Sequence, residues 1–390
     1  MFAFELGREY KLSIAEIYAL FPEMEIIYFD EKILIINNIN TYGFNEILRK
    51  IGGTIKVIKI EKIIKDIPES YEFIQDFFQD KKNNYSINIY GLSNINQKET
   101  LLKSKKAFSK NGFSTRFVNQ DFHNIKSYQI TKEKLVETKT DFNIIKNKDN
   151  LYIGYTIYVQ DINAYSKRDF GKKRDMIIGM LPPKLAQIMI NLSGEKNNNN
   201  IYDPFCGLGT ILLESIINGE KEIYGSDLNN EMIIASKKNI EFIKNNFNNN
   251  LKKSEIIQLD AKKIATSSIF KNQIKSIITE GYLGEIFGKT NIDLDKVKKQ
   301  RNLLSEIYEN FFAGLKKVNF SGHIVISFPF REIKGKYNYF EEIYEIINKY
   351  CHIENLLPKN IELKPTKSGS LLYKRPDQTV GREIFKLKIK

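Results

Sequence analysis

Three carboxylates in the C-terminal half of the chain, Asp203, Asp227 and Asp260, each close a short run of β-forming residues. Asp203 leads into Pro204, Phe205, Cys206, Gly207, Leu208, Gly209 and Thr210, and Thr210 opens an apolar helical run at 211–217. A strand that ends in a glycine turn and feeds a helix is a nucleotide-binding layout. Gly207 and Gly209 remove Cβ atoms where a ligand presses against backbone. The third glycine of the dinucleotide pattern is replaced by Leu212. An acid ahead of the turn repels a pyrophosphate and suits a cation-bearing nucleoside, and S-adenosylmethionine has both a sulfonium and an ammonium. Asp227 follows the glycines at about the 20-residue spacing of a carboxylate that binds ribose hydroxyls. Asp260 ends the third run and is placed to meet the adenine amino group. Leu181, Phe205, Thr210, Leu228 and Ala261 flank these positions and complete the expected cofactor contacts.

A fourth run, 273–278, ends in Thr279, Glu280, Gly281 and Tyr282. Enzymes that methylate exocyclic amines generally carry Asp, Asn or Ser, then two prolines and an aromatic residue here. The side chain and a backbone carbonyl accept the two amine hydrogens, which turns the nitrogen lone pair toward the methyl carbon. The aromatic ring stacks on the base, and positioning supplies most of the rate. Aligning Tyr282 on the aromatic places Thr279 on the acceptor position and Glu280 on the first proline. Thr279 or Glu280, with Gly281, is therefore the expected amine acceptor, and Tyr282 the expected platform.

Four successive strands with function at their C-terminal ends require an open α/β sheet with its site along one edge. Downstream, 293–318 reads as a long charged helix, 322–329 as a fifth strand and 340–351 as a helix. Residues 368–378 and 380–387 read as a C-terminal antiparallel hairpin. Upstream, Pro182 and Pro183 suit a helix start, and Lys184 at that terminus favours an anion such as the methionine carboxylate.

Of 390 residues, 42% are hydrophobic and the net charge is +13, which favours a polyanionic partner, nucleic acid first. Two cysteines make neither a disulfide framework nor a zinc set, and three scattered histidines exclude a histidine-metal cluster. No signal peptide or membrane-length apolar run is present, so a cytoplasmic enzyme without a membrane partner is expected.

Residues 1–62 read β-α-β-β-α-β, a ferredoxin-like order. Ser13 with Glu16 three residues on reads as a capping box. Residues 63–164 form a second α+β unit, in which Lys98, Lys103, Lys105, Lys106, Lys110 and Arg116 gather around one helix and the next strand. Basic residues with interleaved aromatics make an RNA-facing patch. A basic linker, 166–174, joins this half to residues 165–390.

The second unit resembles a THUMP domain. The whole chain resembles the THUMP-containing tRNA guanosine-N2 methyltransferases of archaea and eukaryotes, through the 203–210 motif, the run 179–193 before it and residues 155–161. The resemblance implies an α/β chain with ferredoxin-like and THUMP units followed by a Rossmann-like class I methyltransferase domain with a C-terminal antiparallel hairpin strand. It implies S-adenosylmethionine as cofactor and tRNA as partner. Lys103, Lys106 and Arg116 of the basic patch, Arg168 of the linker and Arg375, which opens a turn (375–381) placed to approach the substrate, are the residues expected to face the RNA. It leaves a small activator subunit and the oligomeric state open. The departure of Thr279-Glu280-Gly281 from the family motif also leaves open an adenine-N6 acceptor or a non-catalytic RNA-binding chain.

Overall fold

A computed structural model describes the chain except for residues 80–81, 93–94, 171–180, 195–199, 286–293, 334 and 377. The chain divides into two compact units, Met1–Tyr10, Glu23–Arg49 and Thr54–Ala164 in the first and Lys11–Pro22, Lys50–Gly53 and Tyr165–Lys390 in the second.

The first unit is built on one eight-stranded sheet. In chain order its elements are β1 (Phe2–Leu6), α1 (Tyr10–Leu20, most of which groups with the second unit), β2 (Glu25–Phe29), β3 (Ile33–Asn37), α2 (Phe44–Leu48) and β4 (Thr54–Ile64). There follow α3 (Ile67–Gln75), β5 (Asn83–Tyr90), α4 (Gln97–Lys110), β6 (Thr115–Phe117), α5 (Ser127–Lys132), β7 (Asp141–Lys146) and β8 (Leu151–Val159). The strand order is β2-β3-β1-β4-β8-β7-β5-β6. Its first four strands have the expected ferredoxin-like order. The boundary expected at 62–63 falls within β4, which pairs with β1 on one edge and β8 on the other, so the first two expected units share a sheet. In α4, Thr100, Leu101, Ser104 and Phe108 are buried, a helical spacing that leaves the lysines on the opposite face.

The expected capping box is replaced by a tertiary contact. Ser13 lies inside α1 and its Oγ donates to the Gly53 carbonyl at 2.7 Å, while the Glu16 carboxylate accepts from Gly52 N at 2.8 Å, Gly53 N at 2.7 Å and Asn191 Nδ2 at 2.7 Å.

The second unit begins with the rest of α1 and residues 50–53 and continues through α6 (Ile162–Phe170), α7 (Pro183–Leu192), β9 (Ile201–Asp203), α8 (Thr210–Ile217), β10 (Glu222–Asp227), α9 (Asn230–Asn246), β11 (Lys253–Gln258) and β12 (Ser276–Thr279). After these come α10 (Leu294–Lys317), β13 (His323–Ile333), β14 (Lys336–Tyr339), α11 (Glu342–Tyr350), β15 (Cys351–Glu354), β16 (Leu371–Tyr373) and β17 (Val380–Ile389). The sheet runs β11-β10-β9-β12-β13-β17-β15, with β14 on β13 and β16 on β17. β9 to β13 are parallel, and β17 is antiparallel to its neighbours. The hairpin β16–β17 is as expected; β14 and β15 are additions. Residues 162–170 form a helix where the basic linker was expected, and 171–174 of that linker lie outside the described residues. Aromatic side chains fill the core on one face of the sheet: Tyr202, Tyr224, Tyr308, Phe311, Phe312, Phe320, Phe328 and Phe385. No helix among the described residues is long and apolar enough to cross a membrane.

The first sheet also buries charge. Lys56, 1% exposed, lies 3.3 Å from Asp141, whose carboxylate also accepts from Ser86, Asn88 and Thr156. Removing one partner of a buried ion pair strands the other. Lys56→Met should therefore cost about 3–5 kcal/mol in urea unfolding. Lys59→Met, which breaks the surface pair with Glu61, should cost less than about 1 kcal/mol. Equal costs would show that the burial of Lys56 is energetically unimportant.

Candidate active site

The parallel strands β9, β10, β11 and β12 all end on one edge of the second sheet, where the turns that follow them meet. The turn after β9 is shaped by its glycines. Gly207 has φ +49° and Gly209 φ +83°, left-handed values that side chains resist. A Cβ at Gly209 would lie 2.5 Å from Ser236 Oγ, whereas one at Gly207 would have no atom within 4 Å. Gly209 is therefore required by packing, and Gly207 presents bare backbone to open space. Gly207 N donates to Asp227 Oδ2 at 2.9 Å, and Asp227 Oδ1 accepts from Asn229 N at 2.9 Å. Asp260 Oδ1 accepts from Lys262 N at 2.9 Å.

These turns enclose a cavity of about 900 Å³. Of the residues expected to hold the cofactor, Phe205, Gly207, Asp227, Leu228, Asp260 and Ala261 line it; of the expected catalytic set, Glu280, Gly281 and Tyr282 do. Phe205 and Tyr308 pack at 5.8 Å between ring centres, and Tyr308 Oη donates to the Tyr282 carbonyl at 2.9 Å. Tyr282 itself is 39% exposed. Gly281 has φ +72°, and a Cβ there would lie 2.5 Å from Tyr308 Oη, so the turn between Glu280 and Tyr282 admits only glycine.

Six of the residues expected at the cofactor or the amine lie outside the cavity lining. Thr279 is 0% exposed, its hydroxyl is bonded to Asp203 and accepts from Gly281 N at 3.1 Å, and it does not line the cavity; it shapes the turn, and Glu280 is the residue of the pair whose side chain lies at the cavity. Asp203 is 2% exposed and lies beneath the glycine loop, accepting from Phe205 N at 3.1 Å, so it supports the loop without lining the cavity. Leu181, Gly209 and Thr210 are absent from the lining as well; Leu181 and Thr210 are buried, and Gly209 caps α8. Lys184 sits over the Tyr165 ring at 5.2 Å, away from the cavity lining.

The expected RNA-facing residues divide. Lys103, Lys106 and Arg116 are exposed in the first unit, with Lys103 2.6 Å from Glu99. Arg375 is half-buried beside β16. Arg168 is corrected: it is 6% exposed and its Nε donates to Glu214 Oε1 at 3.0 Å, so it ties α6 to α8 and is withheld from a polyanion.

Gln378, Thr379 and Val380, within the turn 375–381 expected to approach the substrate, also line the cavity, and so does Arg382, which the sequence reading did not single out for the site. Arg382 is 4% exposed and its Nε donates to Glu280 Oε1 at 2.5 Å. The signal was available: an antiparallel strand begins at the edge where the parallel strands end, so the first residues of β17 belong beside the tip of β12. Carboxylates outnumber cations in the lining, with Asp227, Asp260, Glu280 and Glu285 against Lys262 and Arg382. Burial pushes the Cys206 thiol well above its ordinary value, and Cys351 is likewise buried and pushed up to about 12. Neither cysteine lines the cavity, which leaves a covalent cysteine route without its nucleophile. Among the described residues no group of acids, cysteines and histidines is arranged to hold a metal ion.

Residues 171–280 match the UPF0020 family, described as "RMKL-like, methyltransferase domain". The chain carries a methyltransferase domain. It is 31% identical over 136 residues to a protein of Methanothermobacter thermautotrophicus named tRNA (guanine(10)-N2)-dimethyltransferase, an alignment that spans 35% of this chain and 37% of that relative. A protein of Methanocaldococcus jannaschii with the same name is 21% identical over 305 residues, 75% of this chain and 78% of the relative. The crystal structure of TrmN from Thermus thermophilus has the same fold, with a TM-score of 0.51 at 12% identity over 100% of this chain and 99% of that one.

The cavity fits S-adenosylmethionine, the methyl donor of such domains. The space at Gly207 that a Cβ would fill, the acid excess facing a cationic ligand, and the Asp227 and Asp260 carboxylates on successive turns are the features this nucleoside needs.

Asp203 carries a pH signature. Burial, the largest influence, raises its carboxyl to about 7, with the Thr279 and Phe205 hydrogen bonds opposing the shift. A raised acid favours the neutral form in the folded state, so its contribution is fully present near pH 4 and is lost as pH rises through 7. Asp203→Asn should remove part of the fall in Tm between pH 5 and pH 8. Glu16, also raised to about 7 by burial, and Glu383, raised by burial as well, contribute to the remaining fall. Parallel Tm–pH curves for the two proteins would refute the assignment to Asp203.

Proposed function

We propose that the chain transfers a methyl group to the exocyclic N2 amine of a guanosine in tRNA, at position 10, with S-adenosylmethionine as donor. The observation that carries this reading is that one cavity is lined both by the adenosyl-binding acids, Asp227 and Asp260, and by Glu280 and Tyr282. Its volume, about 900 Å³, lies near the upper end for small-ligand sites and leaves room for a base beside the donor. The activity named for the two archaeal relatives supplies the substrate.

When bound, the donor supplies a methyl carbon already activated by the adjacent sulfonium, so the protein's task is placement. Asp227 accepts from the ribose hydroxyls and Asp260 from the adenine amine. Gly207 lets backbone approach the ligand, and Phe205, Leu303 and Ile307 exclude water from the apolar wall. The Tyr282 ring stacks on the base, with its backbone pinned by Tyr308. Glu280 accepts an N–H of the amine and holds the released proton on the carboxylate oxygen that Arg382 does not engage. The first unit acts as the RNA-binding, THUMP-like part, with Lys103, Lys106 and Arg116 meeting phosphates.

Unmodified total tRNA incubated with labelled S-adenosylmethionine and digested to nucleosides should yield N2-methylguanosine and its dimethylated form. Label on adenosine, or no label, would sink this reading. Glu280→Ala and Tyr282→Ala should each lower kcat by roughly a hundredfold or more, while donor affinity measured by calorimetry stays within a few-fold.

A further inference from the structure

Glu280 stands where amine methyltransferases generally carry proline, and it does not stand alone. Arg382 Nε donates to its Oε1 at 2.5 Å, and Arg382 Nη1 donates to Gln378 Oε1 at 3.3 Å. All three residues line the cavity beside Tyr282. Arg382 is almost fully buried, and it is reached through β17, whose pairing with β13 aligns Arg382 with Pro329 and Gly381 with Phe330. That register is enforced: a Cβ at Gly381 would lie 2.1 Å from the Phe330 ring, so the strand cannot slide past this point without a clash. The backbone is braced as well, since Ser327 Oγ donates to the Glu280 carbonyl at 2.6 Å. Among the described residues Arg382 is the donor to this carboxylate, at Oε1, and none donates to Oε2, the oxygen a ligand would meet.

We infer that Glu280, oriented by Arg382, reads the N1–H of guanine together with the N2 amine, and so determines base specificity. This rests on the guanosine reading above. The chemistry follows from the two edges. Guanine presents two adjacent donors, N1–H and N2–H, and an ionised carboxylate is acceptor-only, with two lone pairs on the oxygen that Arg382 does not hold. Adenine presents one donor, N6–H, beside N1, which is an acceptor and is repelled. A threonine hydroxyl or an asparagine amide can adapt to either edge; a charged carboxylate cannot. Arg382 is a positioning residue: by holding Oε1 it keeps the second oxygen turned to the base.

The test uses 2-aminopurine, which keeps the 2-amine but has an unprotonated N1 and no 6-oxygen. A tRNA whose methylated guanosine has been located by nucleoside mapping is rebuilt by ligation with 2-aminopurine at that position. Wild-type kcat/KM should be at least about tenfold lower on the 2-aminopurine tRNA, the scale of a lost hydrogen bond to a charged group. Glu280→Gln should shrink that ratio to below about threefold. Arg382→Met should do the same, because the carboxylate is no longer aimed, and Arg382→Lys should restore part of it. Arg382→Met decides the matter where Glu280→Gln is too slow to measure. Calorimetric donor binding and Tm, read in parallel, report folding and the cofactor site, which a merely structural Arg382 would disturb without changing the ratio. A ratio unchanged in Arg382→Met that still transfers to guanosine, or a wild-type enzyme that treats both bases alike, would overturn the inference while leaving guanosine methylation intact. Absence of methyl transfer to guanosine in the wild type would overturn both.

Discussion

The site depends on a carboxylate that no ligand reaches. Asp203 lies sealed beneath the turn after β9, accepting from Phe205 N, and the Thr279 hydroxyl at the end of β12 is bonded to it. Thr279 in turn accepts from Gly281 N. One short chain of hydrogen bonds thus fixes the spacing between the loop suited to the nucleoside and the turn that carries Glu280 and Tyr282. Burying such a group is costly, and its raised titration reflects that cost. Rigid placement is what this chemistry needs, because the methyl carbon is already electrophilic and the protein gains rate by aiming it.

The sheet topology completes what the hydrogen bonds begin. Parallel strands bring Asp227, Asp260 and Glu280 to one edge, a property of open α/β sheets generally. Antiparallel β17 adds a residue from the far end of the sequence, so Arg382 meets Glu280 across 102 positions of chain. Aromatic packing between Phe205, Tyr308 and Phe328 supports the same wall from behind.

Much of this is legible in the sequence. Strand-end acids, the Gly207 turn and the 279–282 tetrapeptide all point to the sheet edge that carries the cavity, because period and turn chemistry report where a strand stops. They do not report whether the last side chain faces the ligand or tucks beneath its own loop, which is why Asp203 and Thr279 read as contacts in the sequence. Arg168 reads as surface because it sits in a basic run; its burial depends on Glu214, 46 residues away. Ser13 and Glu16 match a capping signature by spacing alone, yet both are taken up by the backbone at 52–53. β14 and β15, four residues each, are too short to produce a period, and β15 follows α11 without a break.

The contact made by Glu16 has a consequence for biogenesis. Its carboxylate shares a buried site with Asn191, 175 residues further along. At synthesis rates of about 5–20 residues per second, Glu16 waits roughly 9 to 35 seconds on the ribosome for that amide. Through that interval the partners that α1 finds around α7 do not yet exist, and its apolar face must be tolerated by water or by a chaperone. Helix α1 is in this way left unenclosed until α7 has been made.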